Sequence, residues 1–149
     1  MAKQAAEYEH AGMFREAAEL YYQAAVRKPR EVELKLGLKR AGQMYLEGLA
    51  GEVSEAHTRG NHEKAVYDFL EMQNFADKVQ KTGVNLKIEH ATLRTFENAK
   101  ELFLEERYQL GQRLIDEQNF DEAKKIFTEI YDISPDFRDT HSYLNTATL

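Results

Sequence analysis

The chain has 149 residues, of which 42% are hydrophobic and 31% charged, with two prolines and no cysteine. This length suits one domain with its own core, and the missing cysteines exclude disulfides, thiolate metal sites and cysteine catalysis. The formal net charge of -6 argues against nucleic-acid binding, because that affinity depends on lysine and arginine displacing counterions from phosphates.

The predicted elements begin with a pair of helices over residues 1–31. Ala5, Tyr8 and Ala11 are spaced to share one helical face, and alanine and tyrosine return at similar spacing farther along. Gly12 separates the two stretches and favours a turn, because glycine adopts at little cost the left-handed conformation that ends many helices. We therefore predict two helices packed across a turn at Gly12.

A basic cluster surrounds Pro29, where the second helix should end. Glu31 and Glu33 dilute its positive charge, and no aromatic residues interleave with it as they would in a base-stacking surface. We interpret the cluster as a solvated helix face. Its members are Arg27, Lys28, Arg30, Lys35, Lys39 and Arg40.

A second helix pair, with a weaker pattern, is predicted over residues 46–79. Gly60 marks its turn, and Asn61 is suited to cap the helix that follows. Ala65 and Phe69 then repeat the small and aromatic spacing of the first pair.

Two stretches of the chain indicate unusually long helices, residues 30–58 and residues 89–118. Both exceed the average helix length of about 12 residues, and we expect them to pack as a long antiparallel bundle. Between them, apolar and polar residues alternate over residues 84–88, just after Gly83. Alternation is typical of a strand, so the pattern leaves open whether this segment is extended or helical.

The pattern of the first pair returns over residues 104–137. Gly111 is small enough to let two helices approach closely. Ala123 and Phe127 repeat the small and aromatic spacing. We therefore predict a third helix pair here.

Two helix-start signals accompany this third pair. Asn119 and Glu122 have the spacing of a capping box. Ser134 is suited to cap a further helix that has Pro135 at its first position. These signals predict a last short helix over residues 136–147.

The order of small, aromatic and proline positions resembles the tetratricopeptide repeat family, whose period is about 34 residues. The matching positions are Tyr8, Gly12, Phe14, Ala17, Tyr21, Ala24 and Pro29 in the first pair, Gly60, Ala65 and Phe69 in the second, and Leu110, Gly111, Phe120, Ala123, Phe127 and Pro135 in the third. The resemblance implies an all-α fold, an α-α superhelix of antiparallel helix pairs with unusually long central helices. It implies a single domain over residues 1–149.

The function implied by the resemblance is that of a scaffold that binds a protein or peptide partner. Family members usually bind in a concave groove lined by the first helix of each pair. Carried onto the matching positions, the groove-facing candidates are Ala6, Glu9 and His10 in the first pair and Tyr108, Gln112 and Asp116 in the last. Some relatives clamp a chaperone's terminal carboxylate with lysine and asparagine, but Ala2 and Ala6 stand at those places, so we expect no chaperone-tail receptor.

No catalytic, metal or cofactor site is expected. The five histidines form no HExxH pattern, no serine lies in a GxSxG elbow, and no glycine-rich phosphate loop is present. His57 and His62 flank Gly60 closely enough to approach each other, but an exposed turn more often carries solvated polar side chains. We predict that the chain is not an enzyme and needs neither metal nor cofactor.

A second hypothesis is structural. The long central helices would self-associate into a homo-oligomer, or the chain would be the assembly module of a larger protein, for example in the cell envelope. No stretch approaches the roughly 20 apolar residues of a membrane-spanning helix. The helical pattern begins almost at Met1, which leaves open a trimmed, longer protein. We expect a cytoplasmic location by default, and a periplasmic or envelope-associated one if the sequence is a piece of a longer chain.

Overall fold

The computed structural model describes residues 1–148, with the side chains of residues 1–145. Every helix or strand that it assigns in these residues is an α-helix, which confirms the all-α prediction. The seven helices are α1 (Ala2–His10), α2 (Phe14–Arg27), α3 (Val32–Thr58), α4 (His62–Gln80), α5 (His90–Asp116), α6 (Phe120–Ile133) and α7 (Thr140–Thr148). Among the described residues, none of the helices is long and apolar enough to cross a membrane.

The chain divides into two compact units, and the division lies inside α5 between Glu97 and Asn98. In unit 1, which spans residues 1–97, α2 packs against α1 and α3, and α3 packs against α4. In unit 2, which begins at Asn98, α6 packs against α7. The two long helices, α3 and α5, have 27 residues each, as the sequence predicts.

Three helix connections share one geometry: α1 to α2, α3 to α4, and α5 to α6. Each has a residue with positive φ, followed by an amide that donates to the carbonyl five residues earlier, which is the Schellman ending of a helix. The positive-φ residues are Gly12 at 76°, Gly60 at 78° and Gln118 at 61°. The amide-to-carbonyl bonds join Met13 to Tyr8 at 2.9 Å, Asn61 to Ala56 at 2.8 Å and Asn119 to Leu114 at 2.8 Å. The turns predicted at Gly12 and Gly60 are confirmed.

The same two core positions follow each of these turns. An alanine lies five residues after the positive-φ residue and an aromatic residue lies nine residues after it, so the two share one helical face. All six side chains are buried: Ala17 and Tyr21, Ala65 and Phe69, Ala123 and Phe127.

Phe69 and Tyr21 make close aromatic contacts in the core of unit 1. Phe69 on α4 stacks on Phe96 on α5, with ring centroids 4.2 Å apart and an interplanar angle of 14°. Tyr21 on α2 lies against the bare backbone of Gly37 on α3, where an added Cβ atom would come within 2.4 Å of the ring. A side chain at Gly37 would therefore displace the tyrosine.

The core of unit 2 is built around Phe127 on α6. An added Cβ atom at Gly111 on α5 would come within 2.6 Å of the Phe127 ring, so the predicted close helix approach is confirmed. Phe127 also stacks on Tyr143 of α7, with centroids 4.8 Å apart, and meets the Tyr108 ring edge-on at 6.0 Å. These contacts join α5, α6 and α7 within unit 2.

The segment over residues 84–89 is not helical, which resolves the alternative that its sequence left open. The side chain of Gln43 satisfies both backbone groups of Lys87: the amide nitrogen donates to the Lys87 carbonyl, and the amide oxygen accepts from the Lys87 N–H, each at 2.9 Å. Leu86 lies against Gly42, which is on α3 next to Gln43. An added Cβ atom at Gly42 would be 3.0 Å from the leucine. The segment is thus held along α3.

The predicted start of the last helix is wrong, because α7 begins at Thr140 rather than at residue 136. Ser134 is the C-cap of α6, and residues 135–139 form turns in which Arg138 has a φ of 47°. These turns place Phe137 against Tyr108, with ring centroids 5.9 Å apart. Phe137 is half-buried in this contact, and Thr140, the first residue of α7, is fully buried, so tertiary packing overrides the local start signal.

The predicted capping box at the start of α6 is also wrong. Asn119 occupies the N-cap position, but its side chain makes no capping hydrogen bond. The Glu122 carboxylate accepts instead from Lys125 at 3.2 Å. Asn61 shows the contrast at the start of α4, where its side chain accepts from the Lys64 N–H at 3.2 Å, as the sequence predicts.

Candidate functional site

Three neighbouring recesses lie on unit 1 around α2, with volumes of about 340, 340 and 410 Å³. Arg15 lines all three, and we call them together the Arg15 cleft. The lining includes Gln4 and Tyr8 of α1, Phe14, Arg15 and Glu19 of α2, Met44, Tyr45, Leu49 and Glu52 of α3, and Asp68, Glu71, Phe75 and Lys78 of α4. Each volume falls within the range of roughly 300–1,000 Å³ that is usual for ligand sites.

Helical spacing brings these side chains to the cleft. Arg15 and Glu19 are four residues apart on α2, so both project from the same face. Glu71, Phe75 and Lys78 follow the same rule along α4, at intervals of four and three residues. Since α3 packs against both α2 and α4, the two faces flank it and converge on the cleft.

Two ion pairs cross the cleft from α2 to α4. Arg15 Nη2 lies 3.7 Å from Glu71 Oε1, and Lys78 Nζ lies 3.0 Å from Glu19 Oε2. The Arg15 side chain is 72% exposed and that of Lys78 is 38% exposed. Exposed pairs of this kind contribute only about 0–1 kcal/mol to stability. Each charged side chain of the two pairs can therefore exchange its present partner for a charged group of a ligand.

Tyr45 is a half-buried polar group of the cleft. Burial raises the pKa of its hydroxyl, and a hydrogen bond to Glu71 raises it further, so the phenol is neutral at physiological pH. Its ring meets Phe75 edge-on, with centroids 5.2 Å apart. Lys78 lies over the same Phe75 ring at 5.3 Å and over Tyr22 at 4.5 Å. Tyr45 and Glu71 are therefore held in fixed positions between α3 and α4.

One end of the cleft combines apolar and charged side chains. Phe14 and Met44 line it, and the methionine is 44% exposed. At its edge, Lys64 pairs with Asp68 at 2.6 Å and with Glu52 at 3.6 Å. This end offers an apolar contact bordered by charge.

The chemistry of the cleft is that of binding through apolar contact, ionic groups of both signs and a neutral hydroxyl. Among the residues that the structure describes, no group of three histidine, aspartate or glutamate side chains is placed to hold a metal ion. His57 and His62 do approach each other, with ring centroids 6.1 Å apart, but they lie outside the lining of the cleft.

The groove candidates of the first pair lie on α1, outside the cleft. Glu9 accepts hydrogen bonds from the Tyr21 hydroxyl at 2.8 Å and from Arg40 Nε at 2.9 Å. The bond from Arg40 is the main cause that lowers the pKa of Glu9. Ala6 is half-buried and His10 is exposed. Glu9 therefore joins α1, α2 and α3, while a contact of these three residues with a partner stays a prediction.

The groove candidates of the last pair lie in unit 2. Tyr108 is 5% exposed and its hydroxyl donates to Asp139; burial raises the pKa of that hydroxyl. Gln112 donates to the Tyr143 hydroxyl at 3.0 Å, and Asp116 is exposed at the end of α5. Tyr108 and Gln112 are thus engaged inside unit 2, and their contact with a partner also stays a prediction.

Sequence reasoning selected none of the lining residues of the Arg15 cleft as partner-binding candidates. Arg15 and Glu71 look like ordinary charged residues on exposed helix faces, and Tyr45 looks like an ordinary core position of a long helix. Only the side-by-side placement of α2 and α4 on α3 brings them together. The one local signal is charge repeated at helical spacing, which is common on any solvated helix.

Compared with protein-family models, with curated proteins and with solved structures, the chain gives no match.

Proposed function

We propose that the chain is a protein-interaction module of tetratricopeptide-like helix pairs that binds a peptide segment of a partner in the Arg15 cleft. The observation that carries the proposal is that two partly exposed apolar side chains, Phe14 and Met44, lie beside weak ion pairs in the cleft. The resemblance of the helix pairs to a family of protein-binding scaffolds supports the same function.

The lining of the cleft favours a partner segment with an apolar side chain next to charged ones. Phe14 and Met44 would receive the apolar side chain, because part of their apolar surface is open to water and its burial is favourable. Arg15 would then bind a carboxylate and Glu71 a basic group of the segment, in exchange for their present pairing.

The α1 face that carries Ala6, Glu9 and His10, none of which lines the cleft, is the weaker candidate for the same function. Its central polar residue, Glu9, is committed to Tyr21 and Arg40. A partner at this face would have to break a charged hydrogen bond that holds three helices, whereas a partner in the cleft would exchange only exposed pairs.

The proposal is tested by selecting peptides from a displayed random library on the intact chain and by measuring the affinity of the best ones by calorimetry. We expect Met44→Asp combined with Arg15→Glu to weaken binding at least tenfold. Arg94→Glu on α5 is the matched control for a charge change on an exposed helix face, and it should leave the affinity unchanged.

Two results would count against this proposal. One is that no peptide is selected above background. The other is that the cleft variant binds the selected peptides as well as the wild type, while His10→Ala weakens binding; this result would move the site to the face of α1.

A further inference from the structure

The charge of the chain is unevenly distributed along its sequence. Residues 26–39 contain five lysine or arginine residues and two glutamates, a net charge of +3, although the whole chain has a net charge of -6. The remaining residues therefore have a net charge of -9. A molecule with this asymmetry has surfaces that attract other copies of itself through opposite charges.

The positive charge lies beside exposed apolar side chains at the start of α3. Val32 is 66% exposed and Leu36 is 49% exposed, and the two lie one turn apart on one face. Lys35 and Lys39 lie on the same side of the helix. Neither lysine has an ion-pair partner among the described residues. We call Val32, Lys35, Leu36 and Lys39 the basic face.

A surface of opposite character lies at the turn between α5 and α6. Residues 116–122 contain four carboxylates and no lysine or arginine, and all seven residues are exposed. Phe120, which is 42% exposed, lies among them. We call this turn the acidic face, and its charged members are Asp116, Glu117, Asp121 and Glu122.

The acidic face is not explained by helix stability alone. Asp121 and Glu122 lie in the first turn of α6, where negative charge complements the helix dipole. Asp116 and Glu117 lie at the C-terminal end of α5, where negative charge opposes the dipole at a cost of about 0.3–1 kcal/mol each. These two carboxylates and the exposed Phe120 ring are available for contact with another molecule.

We propose that the basic face of one copy of the chain binds the acidic face of a second copy. The lysines would pair with the carboxylates, and the Phe120 ring would cover Val32 and Leu36 at the centre of the contact. No residue of either face lines the Arg15 cleft, so this proposal is independent of the proposed peptide binding. Because the two faces are different surfaces, the contact is heterologous, and association can continue beyond the dimer.

The contact should be weak and sensitive to salt. Each face presents about two turns of helix, which is less than the roughly 800 Å² per partner of a standard interface. The Debye length falls from about 30 Å at 0.01 M salt to about 8 Å at 0.15 M. We therefore expect self-association at high protein concentration and low salt, and its decline as salt is added.

The test is light scattering of the intact chain over a range of protein and salt concentrations. The basic-face variant carries Lys35→Glu and Lys39→Glu, and the acidic-face variant carries Asp116→Lys and Glu117→Lys. The latter two changes place positive charge at a helix C-terminus, which favours the fold. The control carries Lys3→Glu and Arg94→Glu, which change the net charge as much as the basic-face variant does.

We expect the wild type and the control to associate at low salt, and each face variant alone to be monomeric. An equimolar mixture of the two face variants should associate again, because each supplies the face that the other lacks. A wild type that stays monomeric at high concentration and low salt would overturn the proposal, and so would a control as monomeric as the basic-face variant. Binding of a monomeric wild type to anionic lipid vesicles, lost in the basic-face variant, would assign the basic face to a membrane and equally overturn it.

Discussion

Tyr21 in unit 1 and Phe127 in unit 2 occupy the same position after the same turn, yet they pack in different ways. Both lie nine residues after the positive-φ residue, and both press on the backbone of a glycine. The glycine beneath Tyr21 is Gly37, on the helix that begins the next pair. The glycine beneath Phe127 is Gly111, on the helix that precedes the turn.

The comparison shows that the local pattern determines which residue is buried but not which helix covers it. Tyr21 carries a hydroxyl, which donates to Glu9 on α1 while its ring faces α3. Phe127 has no polar atom, and its ring lies between α5 and α7. Both aromatic residues thus contact two other helices, and the hydroxyl lets Tyr21 make one of these contacts by a hydrogen bond.

The largest effect is expected from removing the unit 2 aromatic residue. Phe127 is 0% exposed, and Phe127→Ala should lower the free energy of unfolding by about 3–5 kcal/mol, because it leaves a cavity beside Gly111 and Tyr143. Phe120→Ala, on the same helix but 42% exposed, should cost less than about 1 kcal/mol. Urea unfolding followed by circular dichroism measures both, and equal losses would contradict the packing described for Phe127.

The next effect concerns the glycines beneath the two rings. Gly37→Ala and Gly111→Ala should each lower the free energy of unfolding by about 1–3 kcal/mol, since the new methyl group overlaps the ring. Gly48→Ala on α3 is the control: its Cβ meets nothing within 4 Å, so helix propensity should raise stability by up to about 1 kcal/mol. Thermal unfolding of the three variants compares them, and a gain at Gly37 as large as that at Gly48 would rule out the close contact.

A smaller effect on stability distinguishes the turn at Gly12 from the turn at Gln118. Gln118 has a φ of 61°, where a residue with a Cβ atom is strained, while Gly12 adopts a φ of 76° freely. Gln118→Gly should raise the free energy of unfolding by about 1 kcal/mol, and Gly12→Gln should lower it by a similar amount. Thermal melts would show opposite shifts, and shifts of the same sign would refute equivalence of the turns.

The smallest effect is a pH dependence at Glu9. The hydrogen bond from Arg40 lowers the pKa of this carboxyl below its ordinary value in the folded chain, so ionised Glu9 stabilises the fold above the ordinary value of 4.5. That contribution is lost as the pH falls through the lowered pKa. Urea unfolding should therefore show Glu9→Gln less stable than the wild type at pH 7 and closer to it at pH 3. If the difference in unfolding free energy between the wild type and Glu9→Gln is the same at both pH values, stabilisation by ionised Glu9 is excluded.

The local patterns of the sequence predicted the helices and two of the three turns. Gly12 and Gly60 identified their turns because glycine reaches positive φ without strain, whereas Gln118 carries no such signal. The start of α7 could not be predicted, because Ser134 and Pro135 suit a helix start, whereas the folded chain turns over residues 135–139 and places Phe137 on Tyr108.

The sequence alone determined the all-helical fold, the small and aromatic core positions and the charge of the basic cluster, since helical periodicity and glycine conformation are local properties. The tertiary structure decided which glycine each aromatic residue meets. It also decided that Glu9 joins three helices and that Arg15, Tyr45 and Glu71 share a cleft. These facts depend on the placement of one helix beside another, and that placement is the result of all side chains packing together rather than of any short segment.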